Sequence, residues 1–131
     1  MINVLGSRVV RAAIAAVLLA GCSDPLAPFQ PQVTNAADSF AVQATAVTNV
    51  TNTQTFTWTN SGTRATINHS TTTSAGAAQL TIRDGAGAVV YDRALAPSLN
   101  EPTIAGAAGS WTVQLSLTGY SGTMNFRAQK L

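Results

Sequence analysis

Trp111-Thr-Val-Gln-Leu-Ser-Leu-Thr118 is the stretch that decides the fold of this 131-residue chain. Apolar residues occupy every second position from Trp111 to Leu117, and threonine, glutamine and serine fill the positions between them. Successive side chains of a β-strand point to opposite faces, so this period of two predicts a strand with one buried and one solvated face.

A second alternating run follows this strand directly. Met124, Phe126 and Ala128 alternate with polar residues, and Gly119-Tyr-Ser-Gly122 separates the two runs. Four-residue loops are common between antiparallel strands, so these two runs are predicted to form a β-hairpin that ends the chain.

Upstream residues repeat the same pattern. Ala78, Leu80 and Ile82 alternate with polar residues, and the turn residues Asp84-Gly-Ala-Gly87 separate them from Val89 to Leu95, which predicts another hairpin. Further short strands are predicted around Phe40 to Ala46, Phe56 to Trp58, Ala65 to His69, and Ile104.

Together these runs predict an all-β protein. The expected architecture is an antiparallel β-sandwich, jelly-roll-like, with seven or eight short strands over residues 40–131. Its predicted core consists of Phe40, Phe56, Trp58, Ile67, Leu80, Ile82, Val89, Tyr91, Trp111, Val113, Leu115 and Phe126.

The order of strands and glycine turns resembles a known module. Leu80-Thr-Ile-Arg-Asp-Gly-Ala-Gly87, Gly109-Ser-Trp-Thr-Val-Gln-Leu115 and Gly122-Thr-Met-Asn-Phe126 resemble the jelly-roll modules of secreted bacterial proteins, the pre-peptidase C-terminal type among them. The likeness covers about the last fifty residues. It implies a non-catalytic accessory or adhesive domain.

The first residues have the layout of a secretion signal. Residues 1–11 contain Arg8 and Arg11 without an acid, and an apolar run from Ala12 to Ala20 leads to small residues. A positive region, a short hydrophobic region and a small-residue cleavage site predict a signal peptide over residues 1–21. A permanent membrane span would need roughly 20 apolar residues, which this run does not reach.

Leu19-Ala20-Gly21-Cys22 resembles the lipobox of bacterial lipoproteins. The resemblance implies cleavage between Gly21 and Cys22, a diacylglycerol on the Cys22 thiol and an acylated amino terminus. It also implies a lipid-anchored protein of the bacterial cell envelope, and Ser23 is compatible with the outer membrane. The alternative is an ordinary cleaved signal followed by a coincidental cysteine.

Residues 22–39 are predicted to tether the domain. Pro25, Pro28 and Pro31 disfavour both helix and strand, so an extended, semi-rigid spacer is expected there.

Charge and cysteine content limit the partners. Without Arg8 and Arg11, the five remaining basic side chains equal the five acidic ones, so the mature chain has no net side-chain charge. A neutral chain without a basic patch argues against nucleic acid as a partner. Cys22 is the only cysteine, so no intrachain disulfide forms.

Residues with catalytic or metal-binding chemistry are sparse. His69 is the only histidine, and its alternation with Ala65 and Ile67 favours a structural role; no cofactor or metal is expected. An enzyme would require a cleft that gathers His69 with Asp92 and Ser70 or Ser98.

Two further patterns have simpler explanations than a site. Ser121 lies in a strand-turn-strand context, whereas a nucleophile elbow needs strand-turn-helix. Asp84, Asp92 and Glu101 are candidates to gather around calcium, but Asp-Gly-x-Gly is ordinary turn chemistry.

One strand has an unusual composition. Thr51, Thr53, Thr55, Thr57 and Thr59 occupy alternate positions and are expected to share one face. Such a row resembles one unit of the ice-binding faces of antifreeze β-solenoids, but no internal repeat stacks it. The alternatives are a solvated face with high β-propensity, pairing with another chain, and a surface where Trp58 stacks on a sugar.

The sequence therefore predicts a non-enzymatic, lipid-anchored binding or structural module for an envelope protein or glycan. The alternative is an inhibitor or chaperone-like partner of an envelope enzyme, acting through loops at residues 70–76 or 96–103.

Overall fold

The computed structural model describes residues 29–131, so the predicted signal peptide, Cys22 and the first residues of the predicted tether (22–28) lie outside the described residues. The described chain contains no helix and seven strands, which confirms the predicted all-β, antiparallel, sandwich-like fold. The strands are β1 (Gln32–Ala36), β2 (Ser39–Asn60), β3 (Ala65–His69), β4 (Thr72–Arg83), β5 (Val89–Ala94), β6 (Leu99–Pro102) and β7 (Gly109–Lys130).

Two strands of 22 residues, β2 and β7, form the centre of the sheet. They pair antiparallel along their whole length, from Ser39 opposite Gln129 to Asn60 opposite Gly109. The first half of β7 also pairs with β4, and its second half pairs with β3. β1 extends the sheet beyond β2, β5 beyond β4, and β6 beyond β3.

The ribbon of β2 and β7 folds back on itself. At about 3.3 Å per residue, a straight strand would separate Phe40 from Trp58 by roughly 60 Å. Their ring centroids are 6.4 Å apart, and the Asp38 N–H donates to the Thr59 carbonyl oxygen at 2.9 Å. The two halves of one sheet therefore face each other and enclose the core.

A line of backbone irregularities marks the bend, hereafter the fold line. On β2, Ala46 and Asn49 have positive φ angles of 54° and 47°, and the register with β7 shifts three times between Ala44 and Asn52. Gly119 and Gly122 on β7 and Gly76 on β4 also have positive φ. Bulges and left-handed residues bend a strand, so the fold line crosses three neighbouring strands.

Close backbone contact adds a second requirement for glycine at the fold line. A Cβ atom on Gly76 would overlap the Gly119 carbonyl group, and one on Gly122 would overlap the Thr72 carbonyl oxygen. Only glycine lets the strands approach this closely at the bend.

The predicted C-terminal hairpin is wrong. Residues Gly119 to Gly122 lie inside β7, where Tyr120 pairs with Val50 and is fully buried. The glycines bend the strand without reversing it, because β2 and β4 bend alongside it and keep pairing with it. The same bend joins two predicted strands into the single strand β2.

Two predicted boundaries also differ from the structure. β1 lies within the segment predicted as a tether without strands, because residues 32–36 pair with residues 39–43 of β2 in a tight antiparallel ribbon. Ile104 was expected in an edge strand, but that strand is β6, and the Ile104 side chain is 65% exposed.

The core lies between the two halves of the sheet. Ten of the twelve predicted core residues are buried, Phe56 is partly buried, and Val89 is 41% exposed. The error at Val89 has a local cause: the register of β4 and β5 shifts between Ile82 and Arg83, which places Val90 in the core beside Tyr91. Buried residues that the prediction omitted include Val42, Tyr120 and Met124.

Gly76→Ala and Gly87→Ala provide a test of the fold line. Both glycines have positive φ, but no atom lies within 4 Å of a Cβ on Gly87. Gly87→Ala is expected to lower the free energy of unfolding by about 1 kcal/mol, and Gly76→Ala by more than about 3 kcal/mol, because overlap with the Gly119 carbonyl group adds to backbone strain. Urea unfolding of the two variants measures the difference, and equal losses would contradict the close approach at the bend.

Candidate functional site

The threonine row lies on one solvated face of β2, as predicted. Thr51, Thr53, Thr55, Thr57 and Thr59 are all exposed, and the residues between them point inward. The neighbouring strands extend the row, because Ser116 pairs with Thr53 and Gln79, and Gln114 pairs with Thr55 and Thr81. We call this surface the threonine face, and it consists of Thr53, Thr55, Thr57, Thr112, Gln114, Ser116, Gln79 and Thr81.

Trp58 does not take part in any exposed surface, so the hypothesis that it stacks on a sugar is wrong. Its side chain is fully buried, its ring packs edge-on against Trp111, and its indole N–H donates to the Ala36 carbonyl oxygen at 2.9 Å.

His69 belongs to a directed hydrogen-bond chain between β3, β5 and β6. The Ala96 N–H donates to His69 Nδ1 at 3.2 Å, so the neutral ring carries its proton on Nε2. Nε2 lies 2.6 Å from the Tyr91 hydroxyl, which donates to Glu101 Oε2 at 2.8 Å. Arg93 closes the chain with an ion pair to Glu101 at 2.7 Å.

The electrostatics of this chain keep both rings neutral. Burial lowers the pKa of His69, and the Glu101 carboxylate opposes this shift only in part. Burial also raises the pKa of Tyr91, as does its hydrogen bond to Glu101. Both His69 ring nitrogens are occupied, which agrees with the predicted structural role.

The hypothetical catalytic group is only partly assembled. His69, Ser70 and Ser98 line a shallow cavity of about 400 Å³ next to β6. Asp92 is not part of it, since its carboxylate accepts hydrogen bonds from Gln79 and Thr81. His69 faces Tyr91 and the Ala96 N–H, so neither ring nitrogen is open to accept a proton from a serine.

Asp84 organises the turn between β4 and β5. Its Oδ1 accepts from the N–H groups of Ala86 and Ala88, and its Oδ2 accepts from the N–H of Ala107. These bonds, that from Ala107 foremost, lower the pKa of Asp84. The carboxylate therefore fixes the segment before β7 to the turn.

The three acids proposed to gather around calcium belong to three separate networks. Asp84 binds backbone N–H groups, Asp92 binds Gln79 and Thr81, and Glu101 binds Tyr91 and Arg93. Residues 29–131 contain no group of three His, Cys, Asp or Glu residues able to hold a metal ion.

The loops expected for an inhibitor are largely strand. Residues 72–76 belong to β4, and residues 99–102 form β6. Backbone bonds also fix the flanking residues, since the Thr71 N–H donates to Ala96 and the Thr103 N–H donates to Ala65. Residues 70–71, 96–98 and 103 are the parts of the two segments that remain outside strands.

Sequence patterns did not indicate a cavity that lies at the fold line. This cavity, the bend cleft, has a volume of about 520 Å³. Its walls come from the bend of β2 and from the residues at and just before the start of β1, and they consist of Phe29, Gln30, Gln32, Gln43, Ala44, Thr45, Ala46, Val47, Thr48 and Val50. The β1–β2 hairpin and the bend together bring these segments into contact, so alternation along one strand contains no signal for the cleft.

No protein-family model matches this chain, and no curated protein is significantly similar to it. In the part of the chain that the structure describes, no helix has the length and hydrophobicity to cross a membrane. The geometry of the described domain is therefore the basis for a functional proposal, together with the motif that precedes it.

The His69 chain predicts a pH dependence of stability. The folded protein keeps His69 neutral, whereas the unfolded chain takes up a proton below the ordinary pKa of 6.5. Stability is therefore full above this pKa and decreases as pH falls below it. The urea midpoint is expected to fall between about pH 7 and pH 5.

His69→Gln is the matched variant, and it should remove most of this decrease. The lowered pKa values of Asp38 and Asp84 act in a separate window, since their contribution is lost only as pH falls below the ordinary 3.8. If the urea midpoint of His69→Gln decreased with falling pH as steeply as that of the wild type, His69 would not be the source of the pH dependence.

Tyr91→Phe tests how much the hydrogen-bond chain contributes to stability. It leaves the buried His69 Nε2–H without an acceptor, so the free energy of unfolding should fall by about 1–3 kcal/mol. Arg93→Ala removes only a largely exposed ion pair and should cost less than about 1 kcal/mol. Urea unfolding measures the free energy of unfolding of both variants. A larger loss in Arg93→Ala than in Tyr91→Phe would contradict the predicted order.

Proposed function

We propose that this protein is a lipid-anchored module of the bacterial cell envelope that binds a partner and catalyses no reaction. The observation that carries the proposal is the lipobox-like Leu19-Ala20-Gly21-Cys22 at the end of a signal-like segment. A small all-β domain directly after such a motif is suited to present surfaces near a membrane.

The physical basis of anchoring is the burial of acyl chains. Each buried CH₂ group contributes about 0.8 kcal/mol, and stable attachment takes more than one chain. A diacylglycerol on Cys22 together with an acylated amino terminus meets this condition. The mature chain has no net side-chain charge, so electrostatic attraction to anionic lipids adds little and the acyl chains provide the attachment.

The structure shortens the spacer that this function requires. Because β1 begins at Gln32, only residues 23–31 separate Cys22 from the folded domain. At about 3.3 Å per residue, this segment reaches at most roughly 30 Å. The domain therefore works close to the surface to which it is attached.

A binding role is supported by the residues that the domain exposes. The threonine face and the bend cleft present hydroxyl and amide groups, and none of the residues that form either surface has a charged side chain. The lone histidine has both ring nitrogens occupied, which supports binding over acid and base catalysis. An envelope protein or a glycan is the partner class in this proposal, and nucleic acid is not.

Cys22→Ala tests the anchor. The wild-type chain should stay with membranes after a wash with high salt and carbonate, whereas Cys22→Ala should appear in the soluble fraction. Ser23→Ala is the matched control, because it changes the neighbouring residue and leaves the thiol in place. Membrane retention of Cys22→Ala, or an unmodified Cys22 thiol in intact-mass analysis of the native protein, would contradict lipid anchoring.

A further inference from the structure

We propose that the bend cleft is a binding site for a neutral oligosaccharide. This inference rests on the proposed function, which it deepens by assigning the partner class and the site. It is carried by the composition of the cleft, by the position of one aromatic ring and by the rigidity of the walls.

The polar part of the lining is uncharged and rich in amides. Gln30, Gln32 and Gln43 contribute carboxamides, and Thr45 and Thr48 contribute hydroxyl groups. A carboxamide offers a donor and an acceptor side by side, which suits a pair of neighbouring sugar hydroxyls. No Lys, Arg, Asp or Glu lines the cleft, so nothing there compensates the charge of an ionic ligand.

Within the described part of the chain, the polar side chains of the cleft have no hydrogen-bond partner. Between residues 29 and 131, no hydrogen bond to another protein group occupies the side chains of Gln30, Gln32, Gln43, Thr45 or Thr48. Gln32 and Gln43 are directly opposite each other on β1 and β2 and are both exposed. Two neighbouring amides therefore face the same space.

Phe29 supplies an apolar surface beside these amides. Its side chain is partly buried, packs against the core and lines the cleft. Gln54 fixes the backbone of this residue, because its Nε2 donates to the Phe29 carbonyl oxygen at 3.1 Å. A sugar ring has an apolar C–H face and a polar rim, so a half-buried aromatic ring next to amides matches both.

The wall opposite this segment is held in one shape. Ala46 and Asn49 adopt positive φ angles, a strained conformation for residues other than glycine that clusters at functional sites. The Asn49 N–H donates to Ser121 Oγ at 2.8 Å, and the Gly119 N–H donates to Thr51 Oγ1 at 2.9 Å. Because this wall is already ordered in the free protein, less conformational entropy is lost when a ligand binds.

Size and residue content favour a glycan over a protein partner. A volume of about 520 Å³ lies in the usual range for small-molecule sites. Trp, Tyr and Arg dominate the hot spots of protein interfaces, and none of them lines the cleft. The threonine face is the weaker glycan candidate because it contains no aromatic ring.

The experiment uses the full-length chain purified from membranes in a detergent without a sugar headgroup. Tetrasaccharides of cellulose, starch and chitin are the neutral probes, tetragalacturonate is the acidic probe, and calorimetry measures their dissociation constants. At least one neutral probe should bind, and tetragalacturonate should bind much more weakly.

Variants locate the binding site. Phe29→Ala and Gln43→Ala should each weaken binding by about tenfold, whereas Phe29→Tyr should retain it. Thr55→Ala on the threonine face is the matched surface control and should leave affinity unchanged. Gln43 is exposed, so its variant stays informative if Phe29→Ala destabilises the fold.

Several results would overturn the inference. They are failure of all three neutral probes to bind, equal binding of tetragalacturonate, an affinity insensitive to Phe29→Ala and Gln43→Ala, or an equal loss in Thr55→Ala. A protein partner whose binding Gln43→Ala abolishes, without glycan binding, would also overturn it. The fractionation of Cys22→Ala is independent of these results, so failure of the glycan site is distinguishable from failure of the anchor.

Discussion

The structure depends on the bend that folds the two-stranded ribbon of β2 and β7 back on itself. Phe40 and Trp58 lie on the same strand, and their contact exists only because β2 bends between them. Burial of the aromatic side chains of both halves drives this closure, since removal of apolar surface from water is the dominant favourable term in folding. Phe40 also contacts Phe56 and Phe126, which joins both halves into one core.

After the ribbon folds back, the sheet is open on two sides, and hydrogen bonds of polar side chains stabilise each side. On one side, the Asn35 amide donates to the Thr57 carbonyl oxygen, and Ser61 donates to the Asp38 carboxylate. On the other, the chain from His69 to Glu101 joins β3, β5 and β6. Several of the few charged residues are thus engaged in hydrogen bonds or ion pairs between elements of the fold, and neither candidate binding surface includes a charged side chain.

The same bend links fold to function. Strain at Ala46 and Asn49 is tolerated because the paired strands on either side determine the backbone there. The bend also creates the cleft and places it beside Phe29, seven residues after Cys22. In the proposed function, a ligand held in this cleft would lie close to the lipid-anchored end of the chain, so the proposed anchor and the proposed binding site would share a short segment.

The sequence by itself determined the all-β class, the hairpin of β4 and β5, the exposed threonine row and most of the core. Strict alternation fixes these features, because a strand that buries one face has no other consistent register. The tertiary structure alone decided the continuity of β2 and β7, the strand β1 and the bend cleft. Glycines at residues 119 and 122 are equally compatible with a turn or a bend, and the choice depends on the neighbouring strands, which local sequence does not specify. Long-range contact between the two halves of the ribbon therefore determined both the architecture and the proposed site.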